Sequence, residues 1–384
     1  MIRVDLYGGF GEKGRTSIGI SNGIKHVLLD VGIKVGAKGR EYYPTIDDAS
    51  IARLDAVFVS HAHEDHIGGL SWLRSRGFQG RIFMTAETLS EASDMLAQYA
   101  EPDHVRSFPL SSQQVTIFRV GDKIDLDGLI VATGRSGHVA GGVWFAASVE
   151  QSSIVYTADV VPDSNVLAMD RIPKCDCLVL DASYGDDPIS GTERSRAIQK
   201  WIGSHPDGCL LPVPLSGKPL ELMAILPGRF AIHAGMREPI AAQLAAKNAF
   251  LPNVEPMLRE RLTNAVNWVE GTDFPKCPLL TFDGMGIAGP SVEAIARASE
   301  GGLPILLTGH IPPNTPANML FEAGRAAWIR LPTHPTRQGS VGMWKQAGRP
   351  LTLGHSCSLS TLQTLKSYLP TLNDTVRSGQ RIIL

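Results

Sequence analysis

Residues 61 to 66 read His-Ala-His-Glu-Asp-His, directly after the apolar run from Leu54 to Ser60. Three imidazoles and an aspartate at the end of a buried strand are poorly explained by packing, because each would need its own partner once taken out of water. A shared metal ion satisfies them together. The bland alternative is a solvated polar loop, and four metal-capable side chains in six positions speak against it. His61 and His63 stand two residues apart, so they leave the strand end on the same side and can converge on one ion. Asp65 and His66 follow where the chain turns and can reach a second. A nitrogen site beside a mixed oxygen and nitrogen site suits a pair of Zn²⁺ ions, with Mn²⁺ or Fe as the alternatives. Two such ions, roughly 3.5–4 Å apart, activate a bridging water and stabilise the attacking and leaving oxygens of a displacement. Hydrolysis is the chemistry to expect.

Further stretches extend the pattern. Val27-Leu28-Leu29-Asp30-Val31-Gly32 precedes the histidine run, and the loop from Gly134 to Gly142 after it contains Gly137-His138. Ile154-Val155-Tyr156-Thr157-Ala158-Asp159 comes next. In this order the segments resemble the metallo-β-lactamase superfamily: a strand ending in Asp-x-Gly, the H-x-H-x-D-H loop, the third-histidine loop and the bridging-aspartate strand. The resemblance implies that His61, His63 and His138 hold one metal and Asp65 and His66 the other, with Asp159 between them.

The stretch Cys177 to Asp186, ending Asp181-Ala182-Ser183-Tyr184-Gly185-Asp186, is similar to the element that opens the metallo-β-CASP branch of that superfamily. Phe78 to Thr85, Leu279 to Gly286, Ile305 to His310, Thr333-His334-Pro335 and Gly354-His355-Ser356 fall where the branch has its later motifs. What this implies is an αββα metallo-β-lactamase sandwich carrying an inserted α/β domain of β-CASP type, with nucleic acid cleaved between the two. It implies further that His355 completes the second metal site. His334 would lie near the leaving oxygen, as proton donor or phosphate ligand, with Asp181 orienting it; Asp65, Asp181 and His334 form the catalytic group. A histidine at the position of His355 goes with RNA-cleaving members of the branch. The expected reaction is hydrolysis of phosphodiester bonds in RNA or a short oligonucleotide by a metal-bridged hydroxide.

Three positions depart from the branch pattern. Leu215-Ser216-Gly217-Lys218 stands where the family has Gly-Arg, so a cation survives without arginine's bidentate fork. Thr336 stands where a carboxylate follows the penultimate histidine, and Ser356 and Cys357 replace Gly-Glu after the last. Substrate identity is therefore more open than reaction type, with Lys218 and Arg337 as candidate substrate contacts.

The elements that must position these groups follow from periodicity. Apolar runs at Arg3 to Tyr7, Val27 to Val31, Ala56 to Ser60, Ile82 to Thr85, Leu129 to Ala132, Trp144 to Ser148 and Ile154 to Thr157 read as strands of two packed sheets. Ile67 to Arg76 and Ala86 to Ala97 read as covering helices. Beyond Pro188, helical patterns at Thr192 to Ser204, Lys218 to Leu226, Pro239 to Ala249 and Ser291 to Glu300 alternate with short strands, which suits a small α/β domain. The expected division is residues 1–187 as the first part of the lactamase-like domain, 188–331 as the insertion and 332–384 as the return. Pro312-Pro313-Asn314-Thr315-Pro316 reads as a loop.

At 384 residues, with 43% hydrophobic and 19% charged, the chain is ordinary globular material with room for two cores. It has no apolar run long enough to span a membrane. An odd count of five cysteines and a start that goes straight into a strand pattern suggest reduced thiols in the cytoplasm. A homo-oligomer is left open. The net charge of −2 gives no general affinity for phosphates. Residues 186–330 are near-neutral too, with 13 Lys/Arg against 14 Asp/Glu. A groove could still be assembled from Lys218, Arg229, Arg237, Arg325, Arg330 and Arg337. Neutrality favours a short substrate, and it keeps open a small-molecule ester, lactone or amide hydrolase with the insertion as a lid. A non-catalytic scaffold is the third alternative, and the complete set of metal-capable residues argues against it.

Overall fold

The computed structural model describes residues 1–384 and divides into two compact units. The first comprises Met1–Asp163, Met169–Pro188 and His334–Leu384; the second comprises Ser164–Ala168 and Ile189–Thr333. The short stretch Ser164–Ala168 joins the second unit, where the Ala168 N–H donates to Ala249 O at 2.8 Å. No helix is long and apolar enough to cross a membrane.

The first unit is built on two seven-stranded sheets. One runs in the order Arg381–Ile383, Arg3–Gly8, Ser17–Ser21, His26–Leu29, Ala56–Phe58, Arg81–Met84 and Val115–Ile117. The other runs Leu372–Asn373, Leu351–His355, Cys177–Asp181, Ser152–Tyr156, Val143–Val149, Leu129–Arg135 and Lys123–Leu126. Alternation along the strands assigns their faces. Val27, Leu29 and Phe58 join Phe145, Cys177 and Val179 in the core between the sheets. Their neighbours Leu28 and Val57 point the other way, against Leu70, Leu73 and Met95 of the covering helices Leu70–Ser75 and Ala86–Tyr99. Met343 and Trp344 of the helix Arg337–Gln346, with Leu362 and Leu365 of Leu359–Leu365, cover the second sheet. The layering is αββα.

The second unit has a four-stranded parallel sheet, ordered Cys209–Pro212, Pro278–Thr281, Ala231–His233 and Val266–Trp268. Leu306–Leu307 and Ala327–Trp328 form a further parallel pair, and a bridge from Leu210 to Ile305 connects it to the sheet. Parallel strands with helices such as Lys218–Ile225, Val254–Asn264 and Ser291–Gly301 between them make an α/β unit.

Two helix assignments need correction. The pattern from Ile67 to Arg76 divides into Glu64–Ile67 and Leu70–Ser75. The break falls at Gly68 and Gly69, where a Cβ would stand 2.5 Å from Glu64 O and 2.9 Å from Val31 O respectively. The pattern from Pro239 to Ala249 is helical only as Arg237–Leu244. Pro316, read as loop, instead opens the helix Pro316–Glu322, which Thr315 caps through the Asn318 N–H. Proline is suited to a first helical position because its missing N–H would be unsatisfied there anyway.

Close backbone approach fixes the loop that carries the histidine run. A Cβ on Gly32 would lie 1.7 Å from Asp65 O and 2.8 Å from His66 N. Gly32→Ala should therefore push the Asp65–His66 backbone out of place, costing about 1–3 kcal/mol or more from overpacking and weakening metal retention. Gly203→Ala, where nothing lies within 4 Å of the new Cβ, should leave both unchanged. Thermal unfolding and metal content of the two variants make the check.

Candidate metal centre

The candidate ligands sit where strands of the first unit end. His61 follows the strand Ala56–Phe58 and the extended Val59-Ser60, and His63 is the N-cap of the helix Glu64–Ile67, which carries Asp65 and His66. His138 lies in the loop after Leu129–Arg135, and Asp159 in the turn after Ser152–Tyr156. Asp181 and His355 are the last residues of adjacent parallel strands and are paired in register. His334 precedes the helix Arg337–Gln346. Asp30, Ala158 and Ser356 adopt left-handed φ of 59°, 48° and 60°. Two of them stand next to Asp159 and His355, as strained backbone at functional sites often does.

Ligand-capable atoms converge in three overlapping groups, each within 4.8 Å: His61, His63, His138 and Asp159; Asp65, His66 and Asp159; and Asp159, Asp181 and His334. Asp159 belongs to all three. His63 Nδ1 lies 3.1 Å from both His61 Nε2 and His138 Nε2. His66 Nε2 and Asp159 Oδ1 are 3.2 Å apart, yet both are buried without a hydrogen-bonding partner. His355 lies outside these groups; its Nε2 is likewise buried and unpartnered, and its Nδ1 is 2.9 Å from Ser356 Oγ. Each buried polar atom left unpaired costs about 1–3 kcal/mol. Several such atoms at the end of one sheet sandwich are the signature of a cation site.

A buried network fixes which ring nitrogens face the centre. Asp30, with no exposed surface, accepts the Ser60 N–H at Oδ1 and the Ser60 and Tyr156 hydroxyls at Oδ2, all at 2.7 Å. His66 Nδ1 lies 2.7 Å from the same Oδ2. Since the Ser60 proton goes to Asp30, Ser60 Oγ must accept from His61 Nδ1 at 2.9 Å. His61 and His66 thus donate through Nδ1 and turn Nε2 toward the cluster, which is how ligating histidines are commonly oriented. His334 Nδ1 stands 2.8 Å from Asp181 Oδ2, and Asp181 Oδ1 accepts the Ser183 N–H and hydroxyl at 3.0 and 2.6 Å.

The electrostatics suit a divalent ion. Burial pushes His61 and His138 well below the ordinary histidine range and His63 to about 4, so their lone pairs are available near neutral pH. Burial also disfavours a charged His66, but Asp159, Asp65 and Asp30 overcome it and raise its pKa well above the usual value. Burial would likewise raise Asp159; His66 and His334 reverse that and hold it well below the carboxylate range. A proton on His66 therefore balances carboxylates that a metal would otherwise bind, and metal binding should release it.

Sequence reasoning singled out Asp30 as part of a strand-and-turn pattern without giving it a role, and it passed over Ser60 and Tyr156. A carboxylate at the end of an apolar strand was the available signal, because a buried charge requires partners. The two proposed substrate cations are engaged elsewhere. Lys218 is buried in the second unit, with Nζ donating to Thr308 O at 3.2 Å. Arg337 donates to Tyr368 Oη at 2.9 Å, its guanidinium 4.7 Å from that ring's centroid.

An αββα sandwich with this cluster at its strand ends is a metallo-β-lactamase architecture, and residues 25–211 match the Beta-lactamase superfamily domain. The chain carries a domain of the metallo-β-lactamase superfamily, whose members bind divalent metals. It is 28% identical over 243 residues to cleavage and polyadenylation specificity factor 73 of Drosophila melanogaster, covering 59% of this chain and 36% of the relative. It is 25% identical to endoribonuclease YSH1 of Gibberella zeae, covering 82% and 44%. With transcription termination factor FttA of Methanocaldococcus jannaschii it shares 28% identity over 88% of this chain and 60% of the relative. The chain thus spans less than two thirds of each of these relatives. A protein of unknown function from Enterococcus faecalis V583 shares the fold, with a TM-score of 0.59 over the full length of both chains at 13% identity.

If Asp30 aims His66 and, through Ser60, His61, then Asp30→Asn should lower metal affinity by about 10–100-fold. Competition against a chelator measures this. Unchanged affinity would mean that the two histidines are oriented without it.

Proposed function

We propose that this chain is a two-metal hydrolase of metallo-β-CASP type that cleaves phosphodiester bonds in RNA, with two Zn²⁺ as the resident ions and Mn²⁺ or Fe as substitutes. The observation that carries it is the convergence of two ligand sets on one buried carboxylate, Asp159. The names of the relatives, an endoribonuclease among them, support RNA as the substrate. Residues 188–331 are read as the inserted β-CASP-type domain.

His61, His63, His138 and Asp159 would hold one ion; Asp65, His66 and Asp159 would hold the other, with His355 as a further ligand implied by the family resemblance. Bound divalent ions supply Lewis acidity, lowering the pKa of a water and neutralising charge on phosphoryl oxygens. Asp65, the more exposed carboxylate of the two sets, takes up the proton that the attacking water gives away. His334 is held through Nδ1 by Asp181, which leaves Nε2 to donate a proton to the leaving oxygen. Tyr184, with its ring centroid 5.1 Å from that of His334, limits how far the imidazole can swing.

His334→Ala should retain its metal and lose about 10²–10⁴-fold in turnover, the usual range for a lost general acid. Single-turnover cleavage of RNA, with bound metal quantified, makes the comparison. Full activity in this variant would make His334 structural. Metal-loaded wild type that hydrolyses a small ester or lactone but no RNA would overturn the assignment of substrate.

A further inference from the structure

The net charge gives this chain no general hold on a polyanion, so any grip on phosphates must be local. One local concentration adjoins the metal loop. Residues 12–41 carry six Lys/Arg against three Asp/Glu, in a chain whose formal net charge is −2. The backbone fastens this segment to the centre at several points. The Thr16 N–H donates to Asp65 O and the Ile33 N–H to Glu64 O, both at 3.0 Å. Phe10 and Gly11 pair in parallel with Cys357 and Ser358, immediately beyond His355.

Within the segment, charge is sorted. Glu12 takes Arg15 and Lys34, each at 2.9 Å, together with the Ser378 hydroxyl at 2.8 Å. Arg15 also turns inward, donating to Arg40 O at 3.1 Å and Tyr43 O at 2.9 Å, so it staples the loop around residue 40 to the loop around residue 13. Gly14, at φ +89°, brings its Cβ position to 3.0 Å from Lys34 Cα, where the two loops touch. Asp30 is committed to the buried network. Lys25 is paired outside the segment with Asp55 and Asp127, at 3.1 and 3.2 Å. What remains is Lys13, partly exposed, with Lys38 and Arg40, both exposed. None of the three side chains makes an ion pair, and the exposed Glu41 is the one acid of the segment left to oppose them.

We propose that Lys13, Lys38 and Arg40 form a cationic rail that holds the phosphodiester backbone of the RNA strand flanking the scissile bond. The proposal rests on the RNA-hydrolase function above and adds where the strand runs as it leaves the metal loop. Three solvated surface charges are the bland alternative. Against it stands the arrangement itself: an internal carboxylate neutralises the inward cations and fixes both loops, so the outward three are presented from a rigid frame. Two of the other candidate cations are engaged within the fold. Arg237 is bonded to Asn267 Oδ1 and Ala265 O, and Arg337 to Tyr368. Cation contacts to single-stranded phosphates release counterions, so each adds about 0.7 to the salt dependence of binding.

The test is single-turnover cleavage of a long single-stranded RNA by the full metal-loaded chain, over a series of enzyme and salt concentrations. The triple variant Lys13→Gln, Lys38→Gln, Arg40→Gln should need roughly tenfold more enzyme for half-saturation near physiological salt. Its log–log salt slope should be shallower than wild type by about 2, for three lost contacts. A second variant that keeps the charge, Lys13→Arg with Lys38→Arg, should keep the wild-type slope. If wild type cleaves RNA and the triple variant matches its half-saturation and slope, the rail is wrong while the function stands. A weakened variant with an unchanged slope also overturns the rail, because the loss would not be ionic. If metal-loaded wild type cleaves no RNA, both fall together.

Discussion

A carboxylate with no exposed surface has to find hydrogen-bond donors for both oxygens, and Asp30 finds them in four groups drawn from two strand ends and the short helix Glu64–Ile67. Ser60 supplies its N–H and hydroxyl, Tyr156 its hydroxyl and His66 its Nδ1. The rest of the centre depends on this one buried charge. It fixes the tautomer and direction of His66, passes through Ser60 to His61, and ties the strand that ends at Tyr156 to the one that ends at Ser60. Asp30 itself stands at φ 59°, and Gly32 two residues on allows the chain to press against the Asp65 backbone. Burying so much polarity without compensation would be prohibitive, and hydrogen bonding to the charged form makes it stable.

The same logic operates on the other side of the cluster. Asp181 is buried and held by Ser183, and it receives His334. Asp159 lies between the two arrangements, drawn far down in pKa by His66 and His334 despite its burial. One buried carboxylate therefore orients ligands and another orients the imidazole proposed as proton donor. The third is the group that both ligand sets share. The sheet sandwich makes this possible by ending adjacent strands at one level, with Asp181 and His355 in register.

How much could be read without coordinates depended on how local the information was. The H-x-H-x-D-H run and the strands of two packed sheets follow from short-range patterns, while Asp159, Asp181 and the αββα layering came from family resemblance, and the structure brings the corresponding side chains together. The network around Asp30 was not legible, because Ser60, His66 and Tyr156 lie 30, 36 and 126 residues away. The helix read across Gly68 fails because backbone proximity, invisible in a linear pattern, breaks it there. Lys218 and Arg337 looked like substrate contacts by type and position, yet their partners, Thr308 and Tyr368, are distant in sequence. Conversely, Glu12, Arg15 and Lys34 look like scattered surface charge until folding pairs them. His355 lies outside the convergent groups although its Nε2 is buried and unpartnered, so its part in the second site rests on family resemblance.

The central claim is that two ligand sets share Asp159. Titrating a divalent metal into chelator-treated protein, with bound ions counted by elemental analysis, tests it most directly. The account predicts two ions per chain in wild type and at most one in Asp159→Asn, accompanied by proton release as His66 becomes a ligand. A wild-type chain that binds a single ion or none under metal-replete conditions, or an Asp159→Asn variant that still binds two, would contradict it.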